Sequence, residues 1–228
     1  LVQSIFGVLG GIGAEMDNVM FMKQTADRLF GNEYIWSVLA AGRFQMPFVT
    51  QAAMLGGNVR ENVPLYANGW FDECITPDDY AKAARKVVND GHDTIKLDPF
   101  LEMIPYHTTY IDGRISKKGE NQGYDIVSAV RESVGDDIDI LIDAHGNFDL
   151  PTSVRLSNRL YEDSNIGWFE EPIPPESFQA LENFRNQTYS PVCVGERLFT
   201  RWDFQHVLEN NLADYIMPDP VWTGGISE

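Results

Sequence analysis

Four carboxylates stand within two residues of the ends of short apolar runs along this 228-residue chain. Asp143 follows Ile138–Ile142 in Asp143-Ala144-His145-Gly146, and Glu170 follows Gly167–Phe169 in Glu170-Glu171-Pro172. Glu196 follows Val192–Val194 in Gly195-Glu196-Arg197, and Asp219 follows Tyr215–Met217 in Pro218-Asp219-Pro220. The separations are 27, 26 and 23 residues, each the length of one strand-plus-helix unit. Parallel strands in such units would carry the acids to one rim of a sheet, where active sites of barrel folds lie. Asp143, Glu170 and Glu196 converging in a partly dry mouth would repel one another and need a cation. An all-oxygen set without a Cys or His cluster points to a hard ion. Mg²⁺ fits, because it takes a few carboxylates and leaves positions for water or substrate oxygens. A lone acid after a strand is more often the N-cap of the next helix. His145-Gly146-Asn147 separates Asp143 from its helix, however, and Glu171 and Pro172 follow Glu170, so neither caps directly.

His145 lies two residues beyond Asp143, which in a strand puts both side chains on one face. An imidazole beside a dication has its charged form disfavoured and can shuttle protons near neutral pH. The alternative is a hydrogen-bonding partner of a metal ligand. Lys96 sits inside the run Thr94–Leu97, with Asp98 two residues on. A salt bridge to Asp98 or Glu171 is one role for it, and Glu171 is the spare acid, paired with a base of the barrel wall. For Asp219 a helix N-cap is the alternative to a site role.

The elements that would position these groups repeat from residue 78 onward. Apolar runs at Val63–Ala67, Thr94–Leu97, Ile138–Ile142, Gly167–Phe169, Val192–Val194 and Tyr215–Met217 alternate with helical patterns. The helices are expected at Tyr80–Asp90, Asn121–Val134 with Gly135 as C-cap, Val154–Asp163, Phe178–Asn186 and Phe204–Asn210. The fold class is therefore α/β, and nearly polar-free strands without a Gly-rich dinucleotide fingerprint favour a partial (β/α) TIM-type barrel. The stretch Pro99–Gly123, with Tyr106, His107 and the polar run Asp112–Asn121, reads as a long binding loop or lid. Residues 1–60 break the rhythm: Asp17–Phe30 has helical spacing and Tyr34–Ala41 suggests a second helix. They read as a helical cap-domain remnant and linker, ahead of a barrel domain over residues 61–228 that stops after about the sixth strand. Leu1 in place of an initiator Met, and the ending at Gly224–Glu228, suggest a fragment.

The net charge of −17 opposes binding to nucleic-acid phosphates or anionic membranes. No apolar run reaches membrane-spanning length. Two distant cysteines, Cys74 and Cys193, build neither a disulfide framework nor a CxxC metal site, so a cytoplasmic setting is expected.

Seven stretches together resemble the mandelate racemase/muconate lactonizing enzyme branch of the enolase superfamily, and within it the galactonate/gluconate-type acid-sugar dehydratases. They are Leu55-Gly56-Gly57-Asn58-Val59-Arg60, Tyr66-Ala67-Asn68-Gly69-Trp70, Lys96-Leu97-Asp98-Pro99-Phe100, Asp143-Ala144-His145-Gly146, Phe169-Glu170-Glu171-Pro172, Gly195-Glu196-Arg197-Leu198-Phe199, and Pro218-Asp219 followed by Gly224-Gly225. The likeness covers about residues 55–228. It implies Mg²⁺ held by Asp143, Glu170 and Glu196, and removal of a proton α to a carboxylate by way of an enediolate. It makes His145 the acid that protonates a departing hydroxyl. It makes Asp219 the partner of a histidine base expected beyond residue 228. Lys96 takes the position of the first Lys in the racemases' Lys-x-Lys pair, and Asp98 replaces the second. That departure argues for one-base elimination over two-base racemisation and leaves Lys96 to bind the substrate carboxylate or a hydroxyl. The implied reaction is dehydration of an aldonate to a 2-keto-3-deoxy acid by a homo-oligomer acting on a small acid sugar. A racemase, epimerase or cycloisomerase is the alternative, as is a truncated, non-catalytic paralogue that binds Mg²⁺ and a sugar acid.

Overall fold

The computed structural model describes residues 2–6, 12–40, 45–56, 64–100, 110–111, 113–219 and 221–223. Contacts divide the chain into two units, residues 1–64 and 65–226.

The first unit runs β1 (Val2–Phe6), α1 (Met16–Phe30), β2 (Trp36–Ala40) and α2 (Gln45–Met54). Strands β1 and β2 pair in parallel, from Val2 opposite Trp36 to Phe6 opposite Ala40. Parallel pairing needs a crossover, and α1 supplies it. The helix expected at Asp17–Phe30 is therefore present as α1. The one expected at Tyr34–Ala41 is a strand, so the unit is β-α-β-α rather than a helical remnant. A five-residue apolar run carries no periodicity that separates strand from helix, and pairing to β1 decides it here. Phe6, Val19, Trp36, Val38, Phe48 and Ala52 form its core, with the Phe6 and Phe48 rings 5.2 Å apart.

The second unit holds α3 (Pro77–Asn89), β3 (Thr94–Leu97), β4 (Tyr110–Ile111), β5 (Arg114–Ile115), α4 (Lys117–Val134), β6 (Asp139–Asp143), α5 (Leu150–Ser164), β7 (Trp168–Glu170), α6 (Phe178–Arg185), β8 (Val192–Val194), α7 (Thr200–Glu209) and β9 (Tyr215–Ile216). Its main sheet is ordered β3-β6-β7-β8-β9, and every pair is parallel. Each strand neighbours the one before it in the chain, which is barrel order. A doubly wound sheet would reverse direction part-way. The run expected at Val63–Ala67 contributes only a single parallel bridge, Ala67 to Ile95, among the described residues.

Alternation sorts the sheet into two faces. Ile95 and Leu97 of β3, Ile140 and Ile142 of β6, Phe169 of β7, and Val192 and Val194 of β8 pack into one core with helix residues such as Ala84, Val127, Leu156 and Phe184. The register puts Lys96, Leu141 and Trp168 in one row of the other face, and Asp143, Glu170, Cys193 and Tyr215 in the next.

The helices start where short polar side chains cap them. Thr76 and Asp79 form a capping box at α3, and Ser116, Asp149 and Ser177 cap α4, α5 and α6. Gly135 ends α4 with φ 78°, as expected. That helix begins at Lys117, four residues before the expected Asn121, so the end of the expected long loop is helical. Ahead of it, β4 and β5 form an antiparallel hairpin. Tyr106 and His107 lie outside the described residues. Among those described, no helix is long and apolar enough to cross a membrane.

Candidate active site

Asp143 and Glu170 are the last residues of β6 and β7 and lie directly opposite each other in the register. Both are buried, Glu170 completely. Side by side without a counter-ion they would be intolerable. The structure supplies one: Lys96 Nζ, from the middle of β3, donates to Asp143 Oδ2 and to Glu170 Oε1, each at 2.8 Å. Trp168 Nε1 donates to the other Glu170 oxygen at 3.1 Å.

The proton affinities follow from this arrangement. Burial draws the Lys96 ammonium's pKa down, but the Asp143 charge and the bonds to both carboxylates outweigh it and hold the pKa above its ordinary value. Burial first, and then the Asp143 charge, push Glu170 up to about 7 against the opposing pull of Lys96. Glu171 is 2% exposed and also pushed up to about 7 by burial, although its Oε1 accepts the Gly195 N–H at 2.8 Å. That backbone bond, rather than a base of the barrel wall, is its anchor.

His145 sits at φ 49° just past β6, and its N–H donates to Asp143 Oδ1 at 3.0 Å. Its Nδ1 is 2.7 Å from Asp98 Oδ2 and 3.2 Å from Asp143 Oδ1. The bond to Asp98 raises its pKa, burial opposes this, and the charges of Asp143, Asp98 and Glu196 add to the rise. Without a dication these carboxylates favour the charged ring. Lys96 does not make the salt bridge to Asp98 or Glu171 that was the alternative role for it; its partners are the two acids of the strand ends.

Glu196 stands apart. In the register Glu170 faces Cys193, so Glu196 lies three residues further along, beyond Gly195 at φ 148°. A Cβ on Gly195 would come within 2.7 Å of the Met217 backbone, so the chain turns where only glycine fits. Past that turn Glu196 is half-exposed, 3.5 Å from Arg197 Nε. Two of the three expected ligands are thus brought together and the third is not. Among the described residues no group of three or more His, Cys, Asp or Glu side chains is arranged to hold a metal ion. The donor chemistry of the pair still suits a hard cation, since two buried carboxylates already hold a positive charge between them. Asp219 is engaged locally: Oδ1 accepts the N–H of Val221 at 2.7 Å and of Trp222 at 3.3 Å, and its carbonyl accepts that of Thr223 at 2.9 Å. It caps the turn at residues 221–223, not a described helix.

Three neighbours were not assigned from sequence. Asp98 holds His145, Trp168 holds Glu170, and the Tyr66 ring lies 5.5 Å from Lys96 Nζ. Period-two spacing from Lys96 to Asp98, and from Trp168 to Glu170, was the available signal.

Residues 79–228 match the family model described as enolase C-terminal domain-like. Over those residues the chain belongs to that family. The D-gluconate/D-galactonate dehydratase of Picrophilus torridus is 33% identical over 175 residues, 77% of this chain and 42% of that protein. A mandelate racemase/muconate lactonizing enzyme-like protein from Rubrobacter xylanophilus superposes with TM-score 0.68 at 36% identity, covering 78% of this chain and 48% of that one. The chain thus spans less than half the length of either relative. The enolase-type sheet and its barrel order are as expected from sequence. The N-terminal residues 1–69 instead match a model described as beta-keto acid cleavage enzyme. The 3,5-dioxohexanoate:acetyl-CoA acetone transferase of Paraburkholderia graminis is 43% identical over 86 residues, 38% of this chain and 27% of that protein. The stretch Leu55–Arg60 lies inside this match too, where it overlaps the dehydratase likeness.

Proposed function

We propose that the enolase-type unit serves a Mg²⁺-dependent acid-sugar dehydratase, which removes the C2 proton and C3 hydroxyl of an aldonate by way of an enediolate and gives a 2-keto-3-deoxy acid. One observation carries the reading: two buried carboxylates at adjacent strand ends share a cation, with a carboxylate-held imidazole two residues on. The name of the Picrophilus relative supports the substrate class. Asp143 and Glu170, joined by Glu196, would hold the metal, which when bound supplies Lewis-acid neutralisation of charge growing on the substrate carboxylate. His145 carries the proton that leaves with the C3 hydroxyl oxygen, its ring held by the Asp98 carboxylate at Nδ1. Lys96, freed from the acids, pairs with the substrate carboxylate. We assign the C2 base to no described residue, and Asp98, bonded to His145 and to the Phe100 N–H, is not free to abstract a proton. A cytoplasmic homo-oligomer is part of the same proposal.

A second reading has its own support. Glu196 outside the pair, and Asp219 spent on a turn, suit a unit that binds Mg²⁺ and a sugar acid without turning it over. Incubation with a panel of aldonates, with and without Mg²⁺, separates the two. Formation of 2-keto acid supports the dehydratase. Exchange of the C2 proton without ketone points to an epimerase, and saturable binding without either points to the binder.

A further inference from the structure

We propose that Asp98 is the positioning residue for His145, fixing the imidazole through Nδ1 so that Nε2 is the nitrogen presented to a reactant. This rests on the reading of His145 as proton donor and adds a residue that neither the family pattern of a Lys base nor the carboxylate row accounts for. Asp98 is 2% exposed and its two oxygens are divided. Oδ1 accepts the Phe100 N–H at 2.8 Å, and Oδ2 lies 2.7 Å from His145 Nδ1. An ionised carboxylate only accepts, so the ring nitrogen facing it carries the hydrogen. Asp143 Oδ1 is a more distant neighbour of the same nitrogen, at 3.2 Å, and already accepts the His145 backbone N–H. With the backbone pinned at one end and Nδ1 at the other, the ring's rotation is fixed from both sides. Its proton then loads and leaves at Nε2, whether the ring is neutral or charged. Asp98 orients; it does not touch the reacting atoms.

The test is Asp98→Asn. The amide keeps an oxygen for the Phe100 N–H, so its NH₂ turns to Nδ1 and makes that nitrogen an acceptor. The hydrogen must then move to Nε2, the wrong-tautomer effect known for an Asp→Asn change behind a catalytic histidine. The chain is labelled at histidine nitrogen and studied by nitrogen–proton correlation NMR, with chelator present and pH above the imidazole range. His145→Gln identifies the signal. Expected is Nδ1–H in the unaltered protein and Nε2–H in D98N, with little change in melting temperature. The inference is overturned by Nε2–H in the unaltered protein, or by Nδ1–H persisting in D98N. In the second case Asp143→Asn would move the hydrogen instead. Should D98N fail to fold, Nε2–H in the unaltered protein still overturns the inference, and Asp143→Asn takes the variant's place: Nδ1–H retained there supports Asp98, and its move to Nε2 overturns it. No sugar acid enters the measurement, so its failure leaves the dehydratase reading standing, and a negative aldonate screen leaves the tautomer standing.

Discussion

Replacing Glu171 by Gln should stabilise the protein, and only above mildly acidic pH. The carboxyl is buried against the Gly195 N–H, and its pKa rises from an ordinary 4.5 to about 7. A carboxyl whose folded pKa is raised binds more protons folded than unfolded between those two values. Stability therefore falls as pH rises through the window and stays lower above it. At about 1.4 kcal/mol per unit, the ionised side chain costs the folded state ~3 kcal/mol. Gln offers the same acceptor to Gly195 and no charge. In chelator, E171Q should match the unaltered protein below the window and exceed it by ~3 kcal/mol above, or roughly 6–12 °C in melting temperature for a unit of this size. Urea titrations or thermal scans of both proteins across pH 4.5 to 7 and beyond read this directly. An advantage for E171Q that is equal at every pH, or that grows toward acid, would refute the burial argument.

Lys96→Met should destabilise the metal-free protein by ~3–5 kcal/mol, because it strips the cation from two buried acids. Added Mg²⁺ should recover part of this loss in chemical denaturation, and no Mg²⁺ effect would count against Asp143 and Glu170 as ligands. Gly195→Ala drives a methyl within 2.7 Å of the Met217 backbone and should cost more than ~2 kcal/mol by the same measurement, with amide-exchange protection lost first at β8 and β9. Arg155→Ala leaves the buried Glu120 carboxylate without its 3.1 Å partner and should cost ~1–3 kcal/mol, which Glu120→Gln in the same chain should partly restore.

Much of the enolase-type unit was legible because its signals are local. Strand β3 lies where the run Thr94–Leu97 put it, and Gly135 ends α4 as a glycine with positive φ should. The site was legible where period-two spacing sufficed: Asp143 and Glu170 meet because each closes a parallel strand in register. Glu196 was not, since equal spacing along the chain says nothing of the turn at Gly195 that carries it past the row. Lys96 could be placed on the correct face, but which of several acids it joins depends on distances across strands that no single sequence records. The helix expected at Tyr34–Ala41 failed for a different reason. Short apolar runs are ambiguous until a pairing partner is known, and in residues 36–40 that partner is a strand more than thirty residues earlier.

The ammonium wedged between Asp143 and Glu170 means that a dication arriving there takes part in an exchange rather than filling a gap. The tethered monocation it would evict would lose both acid partners at once and stand as an unneutralised charge beside any anion in the mouth. Were a metal to load there and a carboxylate to bind in the mouth, as proposed above, the two events would be coupled through one flexible side chain, and each would tighten the other to the same degree.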